Sequence, residues 1–593
     1  MDQQKIKVGY DEDKGRFTVV CPFFFNSLAK ALPNRRWDGK RKCWFAPAIR
    51  ANVNFINEKY VASVAEFTDV ARAQIDKRIE EYRLAQTLAK DSAPKFPAWY
   101  PFKTQPRKKQ MEALNKVYGL KSIALFMDMR TGKTKVVIDL ASALRMQGEA
   151  DRVLIICPLS IRKNWAREID THAPFPIDVH LLDTKKPKKF DEWIGQPHDF
   201  KWMLVGVESL AAGSAIKYCE RFLLSGIKTI AVVDESSKIK NHSATRSQNC
   251  VKLARMAESR IAMTGTPIAN GPMDLFMQFE FLDPDIIGLG DFYSFRNRYA
   301  IMGGFENKKI IGYDNLEELM EIVEPFVFQV RKDEVFPDAP PKIYVRREVT
   351  LNPEQTRLYK MMKKDKAVET GEKSLVVQNA LEKMLRLQEI TSGIISYAIP
   401  EEERTDSKAK FYRELIAGTN PKLEELVACT EEYDGPTIIW CVYKPEIALV
   451  TERLRKVYGD DQVVELHGGI PENERDINVN VKFQQRQSRF LVANAATGGM
   501  GLTISTAEIE IYFSNSFNYI DREQSEERAF GPDKKNGTIV IDLVAEGTVD
   551  ELVVEALSQK KDVAEFVRGS IDTLKEKVYG DLGDWQSLRH MLE

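Results

Sequence analysis

Residues Ser122-Ile-Ala-Leu-Phe-Met-Asp-Met-Arg-Thr-Gly-Lys-Thr134 and Thr229-Ile-Ala-Val-Val-Asp-Glu235 decide how this chain folds. Each is a short apolar run that ends abruptly in charge. The first passes into Val136-Val-Ile-Asp-Leu-Ala-Ser-Ala-Leu144, whose apolar spacing suits a helix, so Arg130, Thr131, Gly132, Lys133 and Thr134 form a turn between strand and helix. Backbone N–H groups at such a helix start, joined by one lysine, suit the phosphates of a nucleoside triphosphate. The second run closes on Asp234, suited together with Thr134 to hold Mg2+, and on Glu235, placed to orient or deprotonate an attacking water. Two adjacent carboxylates ending a wholly apolar strand are costly to bury unless a cation pairs with them. The two stretches together predict ATP and Mg2+ as ligands. Taken alone the loop is weaker, because a bare Gly-Lys-Thr also occurs by chance and Met127 stands where the phosphate-loop pattern has its first glycine; a surface turn is the competing reading.

Working outward, the same alternation of short apolar runs and helical patterns occurs twice. Runs at 152–158, 202–207, 229–235 and 260–266 follow the first loop, and runs at 436–442, 462–467, 489–494, 509–513 and 538–543 form a second series. Such alternation predicts parallel sheets covered by helices on both faces. The expected fold is α/β, two tandem parallel-sheet lobes with helical insertions, plus a small N-terminal α+β domain. The expected boundaries are 1–62 for the N-terminal domain, 63–95 for a helical linker, 96–285 for lobe 1, 286–425 for helical insertions and the inter-lobe linker, 426–565 for lobe 2 and 566–593 for a C-terminal helical tail.

Composition narrows the class. A chain of 593 residues predicts roughly four domain-sized units, and 43% apolar with 29% charged residues is globular usage. No apolar run reaches the roughly 18 residues of a membrane span, and Met1-Asp-Gln-Gln-Lys-Ile-Lys7 lacks the order of a secretory signal, so the expected location is cytoplasmic, or nucleoid or nuclear. Seven cysteines without a Cys-x-x-Cys pair argue against a disulfide framework or zinc cluster. A net charge of −1 gives no global attraction to nucleic acid, so any such binding must use local basic patches. Candidates are Lys30 with Arg35, Arg36, Lys40, Arg41 and Lys42, then Arg107 to Lys109, then Arg162 and Lys163; a solvated face is the plainer reading of each.

From Gln110 to Lys561 the ordered motifs resemble the Swi2/Snf2 branch of the superfamily 2 helicase-like ATPases, whose lobes are RecA-like. Gln110 resembles the family's adenine-reading glutamine. Cys157-Pro-Leu-Ser-Ile-Arg-Lys-Asn-Trp165 is similar to its DNA-backbone segment, which implies contacts from Pro158, Ser160, Lys163 and Asn164. Asp234-Glu-Ser-Ser237 stands where the family has Asp-Glu-x-His, and Met263-Thr-Gly-Thr-Pro-Ile-Ala-Asn270 is close to its third motif, which implies that Thr264 and Thr266 link the ATP and DNA sites; capping a turn before Pro267 is the alternative. Leu466-His-Gly-Gly469, Ala495-Ala-Thr-Gly-Gly-Met-Gly-Leu502 and Gln524-Ser-Glu-Glu-Arg528 follow in family order. They imply DNA contacts from His467, Thr497 and Gly498, a nucleotide contact from Gly501, and catalytic roles for Gln524 and Arg528, with ATP bound between the lobes.

Two departures stand out. The family's second arginine in the last motif is Gly531 here, with Lys534 and Lys535 nearby, and Ala496 replaces a common basic residue. Near the N-terminus, Arg35, Arg36 and Trp37 belong to a stretch that interleaves aromatic and basic residues, a mixture suited to single strands and junctions. Arg36-Trp37-Asp38 and Lys42-Cys-Trp44 resemble the HARP domain found beside this motor in annealing helicases; a structural hairpin with Trp37 and Trp44 in its core is the other reading. The resemblance implies a DNA-dependent ATPase and duplex translocase that remodels forks or junctions. Alternatives are a motor that displaces a protein such as a polymerase, and a weakly hydrolysing nucleotide-gated clamp. A protein partner in replication, repair or transcription fits the same resemblance, and the chain is expected to act as a monomer away from membranes.

Overall fold

The computed structural model describes every residue except 1–4, 34, 91–94, 199, 269–270, 304–308, 366, 371–372, 377–379, 400–410, 496–503, 530–533, 535–536 and 569–593. The chain divides into two compact units, 1–335 and 336–593.

The first unit begins with a five-stranded sheet, in the order β3-β4-β2-β1-β5, from β1 (Ile6–Asp11), β2 (Arg16–Val20), β3 (Arg36–Asp38), β4 (Cys43–Pro47) and β5 (Ala65–Phe67). Strict alternation in β2, with Phe17 and Val19 inward, matches a sheet that buries one face. Ile6, Val8, Phe17, Val19, Ala46, Val53, Ile56 and Ile75 form its core. The long helix Asp69–Lys90 follows. Asp285, in the short helix Pro284–Ile287, holds this N-terminal part to the larger sheet: it accepts from Arg50 N at 2.8 Å and from Arg78 Nη1 at 3.3 Å.

The larger sheet is wholly parallel. It uses β6 (Ser122–Met127), β7 (Arg152–Cys157), β8 (Asp178–Leu181), β9 (Lys201–Gly206), β10 (Thr229–Asp234) and β11 (Ser259–Met263). A separate antiparallel pair, β12 (Ala300–Gly303) and β13 (Lys309–Tyr313), precedes the seventh strand, β14 (Val327–Val330). The order is β14-β6-β11-β10-β7-β9-β8. Strands β6, β9 and β10 are buried at every position, as continuous apolar runs between two helical layers must be.

The second unit contains β15 (Lys342–Val349), the pairs β16 (Ala367–Thr370) with β17 (Lys373–Val376) and β18 (Ile394–Ala398) with β19 (Phe411–Leu415), then β20 (Thr437–Cys441), β21 (Val463–Leu466), β22 (Phe490–Asn494), β23 (Ile509–Tyr512) and β24 (Thr538–Ala545). Its main sheet is also parallel, in the order β15-β24-β23-β20-β22-β21. The stretch 286–425, read from sequence as helical insertions and a linker, therefore also carries strands, and β14 and β15 complete the two sheets. Neither announces itself. Strand β14 is four residues long after a proline, and β15 is an edge strand with Ile343 and Tyr344 half exposed. Among the described residues no helix is long and apolar enough to cross a membrane.

Glu510, in the middle of β23, is fully buried and accepts from Trp440 Nε1 at 2.8 Å. Burial raises its carboxyl from an ordinary value of 4.5 to about 8, with Glu526 adding to the rise and Lys342 and Arg522 opposing it. The folded chain keeps this proton to a higher pH than the unfolded chain, so the stabilising contribution is full below about 4.5 and is lost as the pH climbs toward 8. The melting temperature should therefore fall between about pH 4.5 and pH 8. Glu510→Gln should flatten that fall, and a variant with the wild-type slope would place the titration elsewhere.

Candidate nucleotide site and nucleic-acid interface

Strands β6, β11 and β10 are neighbours, with β7 next to β10, so the loops that leave their C-terminal ends converge on one edge of the sheet. In open parallel sheets this is the edge where ligands bind. The loop after β6 turns through Arg130 (φ 65°) and Gly132 (φ 95°) before the helix Lys133–Met146 starts. A Cβ on Gly132 would lie 1.9 Å from Gln110 Nε2, so glycine is required both for the left-handed turn and for the close approach. Gln110 donates to Gly132 O at 3.4 Å and accepts from Arg107 N at 2.8 Å, which places it against the loop. Thr131 is buried and donates to Asp128 O at 2.7 Å. Lys133 curls back on the loop, its Nζ donating to Met127 O at 2.6 Å and Asp128 O at 3.2 Å. Thr134, the next residue, is half-buried.

Asp234 ends β10 with 6% exposure. Its Oδ2 accepts from Trp165 Nε1 at 2.8 Å and its Oδ1 from Glu235 N at 2.9 Å. Burial, and then the charge of Glu235, raise the Asp234 carboxyl to about 6, against the pull of Trp165 and Lys133. Glu235 itself is left-handed, at φ 52° and ψ 54°. Among the described residues there is no cluster of three or more metal-ligating side chains. Mg2+ needs only one or two carboxylates beside waters and substrate phosphates, and Asp234 with Glu235 at the end of β10 could supply them. The Asp234 carboxyl, raised by burial and by Glu235, would be lowered by a cation placed beside it.

The strand-end segment after β7 divides. Pro158 is buried, Asn164 is half-buried, and Ser160 and Lys163 are exposed on the turn and helix where a backbone could reach them. Trp165, one residue on, was quoted in the motif without a role, and it links this helix directly to Asp234. Thr264 and Thr266 are buried, at 0% and 3% exposure. Thr264 Oγ1 donates to Glu235 Oε2 at 3.4 Å and accepts from Thr266 N at 3.0 Å. The loop also lies against the phosphate loop, since a Cβ on Gly265 would be 3.3 Å from Met129 N.

In the second unit, His467 follows β21; its Nε2 lies 3.2 Å from Glu465 Oε2 and its Nδ1 accepts from Gly469 N at 3.1 Å. Gln524 and Arg528 are nearly buried, on and just after the helix Tyr519–Glu526. Under that helix lies an ion network that sequence reading missed. Lys342 donates to Glu526 at 3.1 Å and Glu527 at 3.0 Å, and Arg522 bonds Asp542 at 2.5 Å and Glu526 at 2.6 Å while its guanidinium covers the Tyr512 ring at 3.5 Å. Burial alone would raise the Glu526 carboxyl, but Lys342 and Arg522 hold it down at about 2. Lys534 is engaged with Ala507 O, with Ala529 O at 3.0 Å and with Thr538 Oγ1 at 2.8 Å. Thr497, Gly498 and Gly501, with Ala496, Gly531 and Lys535, lie outside the described residues.

Arg35, Arg36 and Trp37 are exposed, as are Lys40, Arg41 and Lys42. Trp37 is 54% exposed and packs on Trp44 at 5.2 Å, and Trp44 donates to Asn26 Oδ1 at 3.2 Å. Trp37 is therefore a surface ring, not the core residue of the plainer reading.

Comparison with known proteins agrees with this layout. Residues 109–393 match an SNF2-related domain and residues 418–530 a helicase conserved C-terminal domain. The protein named "Putative ATP-dependent helicase/translocase YwqA" from Bacillus subtilis is 26% identical over 76% of this chain and 47% of its own length. The DNA annealing helicase and endonuclease ZRANB3 of Bos taurus is 26% identical over 77% of this chain and 40% of its own. This chain thus spans less than half the length of either relative. A solved Sulfolobus solfataricus SWI2/SNF2 ATPase core in complex with double-stranded DNA is 23% identical, covering 81% of this chain and 98% of that one, with a TM-score of 0.35 that adds no weight. With its two domains matched in order over about two thirds of its length, the chain belongs to the SNF2-related family.

Proposed function

We propose that this chain is a DNA-dependent ATPase that moves along duplex DNA and remodels forked or branched structures. The observation that carries the reading is the juxtaposition, on one edge of one sheet, of the Lys133 loop after β6 and the Asp234–Glu235 pair at the end of β10, with only β11 between them. Bound nucleotide with Mg2+ would supply the phosphoryl group and neutralise the charge that develops on it. Lys133 exchanges two loop carbonyls for phosphate oxygens, Thr134 and Asp234 hold the cation, and Gln110 is placed to read the base. Glu235 takes the proton of the attacking water, and Arg528 is the residue assigned to transition-state charge. Ser160, in the turn after β7, and Lys163, on the helix that Trp165 ties to Asp234, offer contacts to a nucleic-acid backbone, which gives track binding a route to the site. Contacts of this kind carry no base information, so movement is expected to be independent of sequence. The N-terminal surface of Arg35, Arg36 and Trp37 supplies the preference for forks, through stacked bases and paired phosphates. The family's annealing helicase ZRANB3 is consistent with strand annealing as the outcome.

A second reading is a slowly hydrolysing nucleotide-gated clamp. It is favoured by glycine at 531 and by the engagement of Lys534 within its own unit.

Lys133→Ala should reduce ATP turnover to background, and a wild-type rate would remove the phosphate-loop assignment. Glu235→Gln should keep nucleotide affinity while turnover drops by at least about a hundredfold, the scale of general-base catalysis; undiminished turnover would move the base elsewhere. Replacing Arg35, Arg36 and Trp37 together by alanine should weaken binding to forked DNA more than to plain duplex in a titration, and equal losses on both would count against a junction surface. In the same titration, wild-type affinity should fall steeply with salt as counterions are released.

A further inference from the structure

Gln278 is a polar side chain in an apolar place. It sits in the helix Leu275–Leu282, fully buried among Phe276, Phe279 and Phe281. A side-chain amide costs free energy there unless hydrogen bonds replace the water it has lost. Three do. Gln278 Oε1 accepts from Ser236 Oγ at 2.6 Å, and Nε2 donates to Pro267 O at 2.7 Å and to Asp274 O at 2.9 Å. The first two reach the loops that leave the adjacent strands β10 and β11, just beyond Glu235 and Thr266.

Those bonds close a circuit around the proposed base. From Glu235 the chain leads to Ser236, then across Gln278 to Pro267, back through Thr266 N to Thr264 Oγ1, and from that hydroxyl to Glu235 Oε2. Glu235 needs such a frame. Its φ of 52° lies in the left-handed region, which a residue with a Cβ keeps only when its surroundings over-determine it. Few other contacts serve this purpose: Glu235 N donates to Asp234 Oδ1 and Lys238 N donates to Glu235 O, both within the same loop. Gln278 is the member of the circuit that comes from a different element, the apolar helix, and so ties the loop to the body of the lobe.

We infer that Gln278 is a positioning residue for Glu235, holding its backbone and carboxylate in register with the Thr264–Thr266 loop. The inference rests on the base role given to Glu235 above. A leucine at 278 would keep the volume and leave Ser236 Oγ and Pro267 O without this partner, so the loss falls on the orientation of the base and not on nucleotide binding.

The test is steady-state ATP hydrolysis, with and without duplex DNA, by the full chain as wild type, Gln278→Leu, Ser236→Ala and the double variant. Gln278→Leu should lower kcat about tenfold, the effect of a lost buried hydrogen bond on one barrier, while KM for ATP stays within about twofold. Ser236→Ala should lower kcat in the same direction, and the double variant should be no slower than Gln278→Leu, because both remove one shared bond. A wild-type kcat in a folded Gln278→Leu protein, a KM that rises in step with the fall in kcat, or additive losses would each overturn the assignment. If Gln278→Leu does not fold, Ser236→Ala decides by itself: kcat lowered at unchanged KM supports the assignment and a wild-type kcat overturns it. A wild-type chain without ATP turnover would contradict the proposed function instead.

Discussion

Two carboxylates share the end of one buried strand, and much of the first unit is arranged around the cost of putting them there. Asp234 has almost no access to water, and its neighbour Glu235 adds a like charge, so its proton is held to about pH 6. What compensates comes from the loops on either side. Trp165 arrives from the helix after β7, Thr264 from the loop after β11, and Lys133 from the loop after β6. A divalent cation would complete the balance and release the proton. On the proposed function, a metal–nucleotide complex would supply the positive charge that this carboxylate pair attracts.

Lys133 shows the same logic from the other side. An ammonium with little exposure must have acceptors, and here it takes them from the loop's own carbonyls. On the proposed function, a phosphate would replace those acceptors with better ones without uncovering a bare charge. In the second unit, half-buried Lys342 and Arg522 join Glu526 and Asp542 in a network against the helix ahead of Arg528. Removing one member would leave the others charged in a dry place, which costs far more than the intact network gains. Rigidity around Gln524 and Arg528 follows from that asymmetry.

How much of this could be read from sequence depended on whether a signal was local. Strands buried on both faces, such as Arg152–Cys157 and Thr229–Asp234, are continuous apolar runs and were legible with nearly their observed ends. Strands β8, β14 and β15 were not, because short or half-exposed strands at or near sheet edges share their composition with loops. The turn from Arg130 to Thr134 and the acidic pair closing β10 were legible as strand ends because each is a contiguous change from apolar to polar residues. Trp165, Gln278 and Lys342 were not, since each acts on a partner far along the chain, and spacing holds no trace of such a contact. Thr264 and Thr266 carried a motif signal that said nothing of burial; the structure turns them inward, toward Glu235.

The account stands or falls on whether the site in the first unit answers to nucleic acid. ATP turnover by the full-length chain, followed through a titration with duplex DNA, measures this directly. The account predicts a saturable rise of about tenfold or more, as expected where track binding completes a preorganised site. A rate that stays flat from zero to saturating DNA, with the DNA shown to be bound, would contradict it.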